Sequence, residues 1–323
     1  MRSINQFMYR ENKEKTLNRW QGLEIHYPFW KLSGGSATDY AFSALLEFIF
    51  PDNVPAVLHH SNISLINGTY SCWLRNMSKM YKCADSLEIA TPECPNHYEV
   101  AGYDRAADVY AYIAARLASK KSNTPIEVYK RTYEFASEGI TRGCHESYHS
   151  SKKYDELSTI LLPFLVIRPI FSGSGGYVKR ENAIKYLLSP RVFLVNDIHK
   201  SREEDSLSPS GYRIHIYIGE SLKNEWTRLI NNGLTSYVIS LAEERIVKNI
   251  PPVKNPIEKM RRISENSEGD WKIEFGDKYE DAINFFNSYY LEAIEKLFED
   301  RVVSKWDKLT LDITKYISEK LGS

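Results

Sequence analysis

Leu23-Glu24-Ile25-His26-Tyr27 alternates apolar with polar positions, the period-two rhythm of a strand with one buried face. Residues 39–50 then read as a helix, stopped by Pro51 and Asp52. Strand-like pieces follow at 57–58, 63–66 and 70–74, and Asn67-Gly68 between the last two is a hairpin signal. From 104 to 120, apolar Val109, Tyr110, Ile113, Ala114 and Leu117 recur at helical spacing, with Asp104 as the expected N-cap. Lys120 and Lys121 suit the negative end of that helix. A second alternation brings a strand at 143–150, a helix at 154–166 interrupted by Pro163, a Gly-rich turn at 171–177 and a strand at 212–219. After Asn231-Asn232-Gly233 the spacing predicts helices only, at 235–247, 256–264, 279–298 and 302–321. In the third, Ile283, Phe286, Tyr290, Ile294 and Leu297 form a stripe at i+3 and i+4 steps. Strands early and helices late predict an α+β fold with a largely antiparallel sheet. We read residues 1–323 as a single domain, sheet-rich over 22–230 and helical over 231–323.

Composition narrows the function classes. The 323 residues carry 42 basic and 42 acidic side chains, a balance that gives no field for nucleic-acid or membrane binding. The amino terminus has no apolar signal region, and the longest apolar run, 160–171, is cut by Pro163, Arg168 and Pro169, too short for a bilayer. Cys72, Cys83, Cys94 and Cys144 match no zinc-type spacing. N-glycosylation triplets at Asn62, Asn67 and Asn76 are read as chance, and the expected compartment is the reducing cytoplasm.

The candidate chemistry lies on strands. Glu24 and His26 share the face opposite Leu23 and Ile25. Glu88 and Glu93 flank a stretch bent at Pro92. His145 and Ser147 share a face, with Glu146 on the other. On the 212–219 strand Ile214, Ile216 and Ile218 oppose Arg213, His215 and Tyr217, a polar face that meets water or lines a cleft. Taken singly, the glutamates read as solvent-facing, His145 as a satisfied structural group, and Ser172-Gly-Ser-Gly-Gly176 as a turn before an anion cradle. Taken together, carboxylates, imidazoles and arginines without a cysteine cluster suit an oxygen-rich Mg²⁺ site of the kind that activates a carboxylate with ATP.

These stretches also carry a resemblance. Gly22-Leu-Glu-Ile-His-Tyr27, Glu88-Ile-Ala-Thr-Pro-Glu93, Gly143-Cys-His-Glu-Ser-Tyr148, Leu161-Leu-Pro-Phe-Leu-Val-Ile-Arg168, Tyr186-Leu-Leu-Ser-Pro-Arg191, Tyr212 to Gly219 and Asn255-Pro-Ile-Glu-Lys-Met-Arg261 follow one another as do the motifs of the Pup ligase and Pup deamidase family, relatives of glutamine synthetase. The resemblance implies a curved sheet whose concave face holds ATP and Mg²⁺. Glu24, Glu88 and Glu93 would be metal ligands. His145 and His215 would act at a second metal or on phosphate, with Ser147 beside the nucleotide and Arg191 and Arg213 clamping phosphates. The sequence departs from the family where His26 replaces an acidic residue and Ser147 an asparagine. Asp85 is the nearest carboxylate to the position of the family's general base.

The implied activity is an ATP- and Mg²⁺-dependent carboxylate–amine ligase forming an amide or isopeptide bond through an acyl-phosphate. Its partners would be a small protein modifier or small-molecule carboxylate and an amine acceptor, and the family's small C-terminal domain is expected to be absent unless a partner chain supplies it. The alternatives are an amidase of the depupylase type and a non-catalytic nucleotide-binding homologue. The short helix after Glu24, where the depupylase branch carries a long insertion, favours the ligase.

Overall fold

In the computed structural model, which describes residues 16–49, 63–66, 69–83, 85–133, 141–180, 183–199 and 211–322, the alternating segment becomes β1, Gln21–Lys31. Leu23, Ile25 and Tyr27 are buried, while Gly22, Glu24 and His26 lie part-buried on the opposite face. After α1 (Thr38–Ile49) come β2 (Ile63–Ile66), β3 (Thr69–Trp73), β4 (Lys79–Cys83) and β5 (Ser86–Ala90). Helix α2 (His97–Ser122) leads to β6 (Ile126–Val128) and β7 (Cys144–Ser150), a separate hairpin follows as β8 (Gly176–Arg180) and β9 (Ala183–Leu187), and β10 (Tyr212–Ile216) completes the main sheet. All its pairings are antiparallel, in the order β10-β7-β1-β5-β4-β3-β2, with β6 also on β1.

One face of this sheet is apolar and covered by helices. Register sets Leu23 beside Glu146 and Ile25 beside Cys144 on β7, and Ile214 beside Tyr148 across β10. Alanines 107, 111, 114 and 118 of α2 let that helix approach β1 closely, with Ala41 and Leu45 of α1 alongside. Behind β7 and β10 lie α3 (Tyr154–Ile167), the single turn α4 (Pro169–Ser172) and α5 (Glu225–Glu243), together with the C-terminal helices. Each fully buried aliphatic side chain here contributes about 1.5–3 kcal/mol. The uncovered face keeps the alternate, polar positions.

The α+β class and the antiparallel sheet are as the sequence predicts, and the 63–66 and 69–73 pairing is the expected hairpin, with Asn67-Gly68 outside the described residues. The first fifteen residues, 57–58 and Asn62 also lie outside them. Several boundaries differ. Helix α2 begins seven residues before Asp104, capped by Asn96, whose side chain accepts from Glu99 N–H at 2.9 Å. Asp104 is instead buried, paired with Lys130 at 2.9 Å and with Arg228 at 3.3 Å. Pro163 does not interrupt α3.

Asn231-Asn232-Gly233 does not divide sheet from helices, because it lies inside α5. Asn232 donates to Gln21 Oε1 at 3.1 Å, and Ser172 donates to Asn231 Oδ1 at 2.9 Å. A Cβ on Gly233 would stand 2.9 Å from Thr310 Cγ2, so this glycine permits a close helix approach rather than a turn. Between α6 (Pro256–Glu265) and the last helices a hairpin, β11 (Lys272–Phe275) and β12 (Lys278–Asp281), replaces the start of the expected helix at 279. The stripe from Ile283 to Leu297 is buried as predicted, although its helix contains a π turn at Asn287–Leu291.

Candidate active site

The polar positions of β10, β7, β1 and β5 fall in register across the uncovered face. Glu24 pairs with His145 and Ala90, His26 with Glu88, and His215 with Ser147. The contacts follow from that register. Glu24 Oε2 is 3.0 Å from His145 Nδ1, and Glu88 Oε1 is 3.0 Å from His26 Nδ1. Ser147 Oγ is 3.4 Å from His215 Nδ1. The imidazoles of His26, His145 and His215 meet edge to face, with ring centroids 5.4 Å and 5.3 Å apart. Burial holds His26 down at about 3, with the neighbouring His145 charge acting in the same direction and Glu24 opposing it. His26 is therefore neutral at pH 7, and its buried Nε2 has no hydrogen-bond partner among the described residues.

Arg191 reaches the cluster from the short 3₁₀ turn Pro190–Phe193. Its guanidinium is buried and donates to Tyr217 O from Nε at 3.2 Å and from Nη2 at 3.0 Å. Nη2 also lies 3.4 Å from His145 Nε2, and the group stacks 5.1 Å over the Tyr217 ring. Gly143 makes room for it, since a Cβ there would stand 2.1 Å from Nη1. Nη1 donates to Thr141 Oγ1 at 3.3 Å, and an arginine fork is the kind of group suited to phosphate.

Glu24, Glu88, His145, Ser147, His215 and Arg191 thus come together, and Arg213 lies on the same face one alternation further along β10, opposite His149. β10 is the last strand of the sheet among the described residues. Glu93 does not join the cluster: it is exposed, three residues beyond β5, where Gln21 and Cys94 bridge. Asp85 sits between β4 and β5, ion-paired with Arg142. Glu146, on the opposite face, is buried and accepts from Arg168 at 2.7 and 3.1 Å and from Tyr148 at 2.7 Å. That network, with the Arg168 and Arg228 charges, holds its carboxyl low against the opposing effect of burial.

The Gly-rich turn is not an anion cradle. The N–H groups of Ser172, Gly173 and Gly175 donate to Arg168 O, Pro169 O and Leu188 O, and that of Ser174 to Glu220 Oε2. Strand alternation puts Cys83 on the Glu88 face, where partial burial and then the Glu88 carboxylate push its thiol up to about 11. Sequence reasoning missed Glu220. It has no periodicity to reveal it, because β10 ends at Ile216.

Mg²⁺ is commonly held through one or two carboxylates plus substrate phosphates. Glu24 and Glu88, on neighbouring strands beside an arginine, fit that demand. Among the described residues no three His, Cys, Asp or Glu groups converge into a ready-made metal cage.

A helix-backed antiparallel sheet thus carries a carboxylate–imidazole–guanidinium face, and comparison with known proteins places it in a family. The family described as Pup-ligase protein matches residues 53–321, and the chain belongs to that family. Pup–protein ligase of Kineococcus radiotolerans is 27% identical over 290 residues, covering 83% of this chain and 63% of that protein. The Mycobacterium tuberculosis enzyme is 27% identical over 268 residues, covering 76% and 59%. The chain therefore spans about three fifths of the length of these relatives. Among solved structures, the Pup ligase in complex with Pup superposes with a TM-score of 0.79 at 20% identity, covering 96% of this chain and 64% of that one. The Pup ligase in complex with ADP gives 0.70 at 22% identity, covering 83% and 62%. These superpositions show the fold. No helix among the described residues is long and apolar enough to cross a membrane.

Proposed function

We propose that this chain uses ATP to activate a carboxylate and joins it to an amine, as a Pup-type ligase. The observation that carries the reading is the register-aligned face of Glu24, Glu88, His145, Ser147, His215 and Arg191 in a chain of the Pup-ligase family. In the reaction the γ-phosphoryl group passes to a carboxylate oxygen, releasing ADP. The amine nitrogen then attacks the acyl carbon, phosphate leaves as the C–O bond breaks, and the amine loses a proton to a base. Mg²⁺, held by Glu24 and Glu88, would supply charge compensation on the phosphates. His145 and His215 with Ser147 would orient the nucleotide, and Arg191 and Arg213 would clamp the transferring group. Asp85 is the carboxylate proposed to take the proton, released from Arg142 as substrate enters. A small protein modifier ending in a carboxylate is the favoured donor, by analogy with the relatives, and a lysine side chain the favoured acceptor.

The test is ADP formation from Mg-ATP with candidate carboxylates and amines. ADP release that needs both, with an amide product, supports the ligase. Ammonia or peptide release without ATP would point to the depupylase-type amidase. One observation favours nucleotide binding without turnover, the Asp85–Arg142 pair. A melting rise with Mg-ATP but no ADP would select it.

A further inference from the structure

The Gly-rich turn and Arg191 meet at one carboxylate. Glu220 Oε2 accepts the Ser174 N–H at 2.9 Å, and Oε1 accepts the backbone N–H of Arg191 at 3.1 Å. The side chain is 7% exposed. Three residues earlier, Tyr217 O accepts from the guanidinium of the same Arg191. The stretch from Tyr217 to Glu220 therefore grips Arg191 at both ends, by its side chain and by its main chain. That stretch is itself fixed to β7, because Cys144 N–H donates to Gly219 O at 3.2 Å, next to His145. A Cβ on Gly219 would stand 2.2 Å from Cys144 O, so the approach is as close as the chain allows. On the far side of the turn Ser174 Oγ lies 3.1 Å from Thr132 Oγ1, which also accepts from Ser221 N–H.

A carboxylate buried this deeply is costly unless its oxygens are satisfied. Here they are satisfied by the main chains of two separate segments, so the group joins those segments where a neutral side chain of the same shape would not. We propose that Glu220 is a positioning residue of the nucleotide site: by tying the Arg191 backbone to the Gly-rich turn, it sets where the guanidinium stands beside His145. The proposal rests on the reading of Arg191 as a phosphate contact.

Glu220→Gln keeps the shape but turns an NH₂ toward one of the two N–H donors, so one tie is lost. The experiment compares the wild-type chain with E220Q, E220D, R191K and the R191K/E220Q double variant. Calorimetric titration with Mg-ADP and steady-state kinetics in ATP are the functional readouts. E220Q should weaken Mg-ADP by about tenfold, the value of one hydrogen bond to a charged group. KM for ATP should rise in parallel while kcat changes little, and E220D should recover part of the loss. The double variant should bind no more weakly than R191K alone, since Glu220 acts through Arg191. Amide exchange should quicken at 174 and 191 in E220Q and stay unchanged in β1 and β7. If E220Q does not fold, E220D and its double variant with R191K carry the same comparison. Wild-type affinity in E220Q, or losses that simply add in the double variant, would overturn the proposal. A wild type that binds no Mg-ADP, with the exchange change still present at 174 and 191, would overturn the nucleotide reading and leave the brace standing.

Discussion

Glu24 and His145 stand opposite each other on neighbouring antiparallel strands, and the carboxylate oxygen lies 3.0 Å from Nδ1. The other imidazole nitrogen faces Arg191 at 3.4 Å. Three motifs far apart in sequence thus converge through one histidine, and the contact between acid and imidazole fixes which ring nitrogen is left toward the arginine. Removing the acid should therefore be felt beyond the acid itself.

Glu24→Gln should abolish Mg²⁺-dependent ADP formation while leaving the fold intact. A neutral amide replaces a charged oxygen that a hard divalent ion prefers. Loss of one such preorganised contact is worth about 3 kcal/mol, or roughly a hundredfold in rate. ADP formation against Mg²⁺ concentration, with thermal melts alongside, checks this. Wild-type turnover with unchanged Mg²⁺ dependence would show Glu24 to be a surface carboxylate.

Gly143→Ala should displace Arg191. The new methyl would stand 2.1 Å from Arg191 Nη1 and 2.3 Å from Cζ, so a buried guanidinium bonded to Tyr217 O has to move. Melting should fall as those bonds are lost, and Mg-ADP affinity should fall by roughly tenfold as the guanidinium loses a charge-assisted contact. A variant that melts much lower but binds nucleotide normally would place Gly143 in the scaffold.

Arg168→Met should destabilise the chain by about 3 kcal/mol, because it takes from the buried Glu146 its ion-pair partner and leaves only the Tyr148 hydroxyl and the charge of Arg228. Denaturant unfolding measures it. The double variant with Glu146→Leu should recover much of the loss, since both charges are then gone. An R168M protein as stable as wild type would mean that water reaches Glu146.

Acid should weaken the chain through its buried imidazoles. His26 is held at about 3, below the ordinary 6.5, by burial first, and burial lowers His97 as well. The unfolded chain binds more protons across this window, so stability is complete above pH 6.5 and falls as pH drops toward 3. Urea midpoints between pH 7.5 and pH 4 should decline, and more gently in His26→Gln. Parallel declines in both proteins would remove His26 from the account.

Much of this site was legible in the chain, and for one reason. Side chains of a strand alternate strictly, so Leu23-Glu24-Ile25-His26 and Arg213-Ile214-His215-Ile216 each declare a buried face and a polar one. Their residue types then restricted the chemistry to carboxylate, imidazole and guanidinium. Local pattern could not tell that Asn231-Asn232-Gly233 belongs to a helix, because what holds it there is contact with Gln21, Ser172 and Thr310 from distant segments. Nor could it separate Glu88, which a register partner turns toward His26, from Glu93, which lies past the strand and faces solvent. Glu220 is the clearest case. It is one acid after a strand end in sequence, and its place between Ser174 and Arg191 exists only once three segments have folded onto one another. The chain itself determined which faces are polar and which groups they carry. Tertiary structure decided which of those groups meet, since hydrogen bonds and ion pairs act over a few ångströms and only folding brings remote residues within that reach.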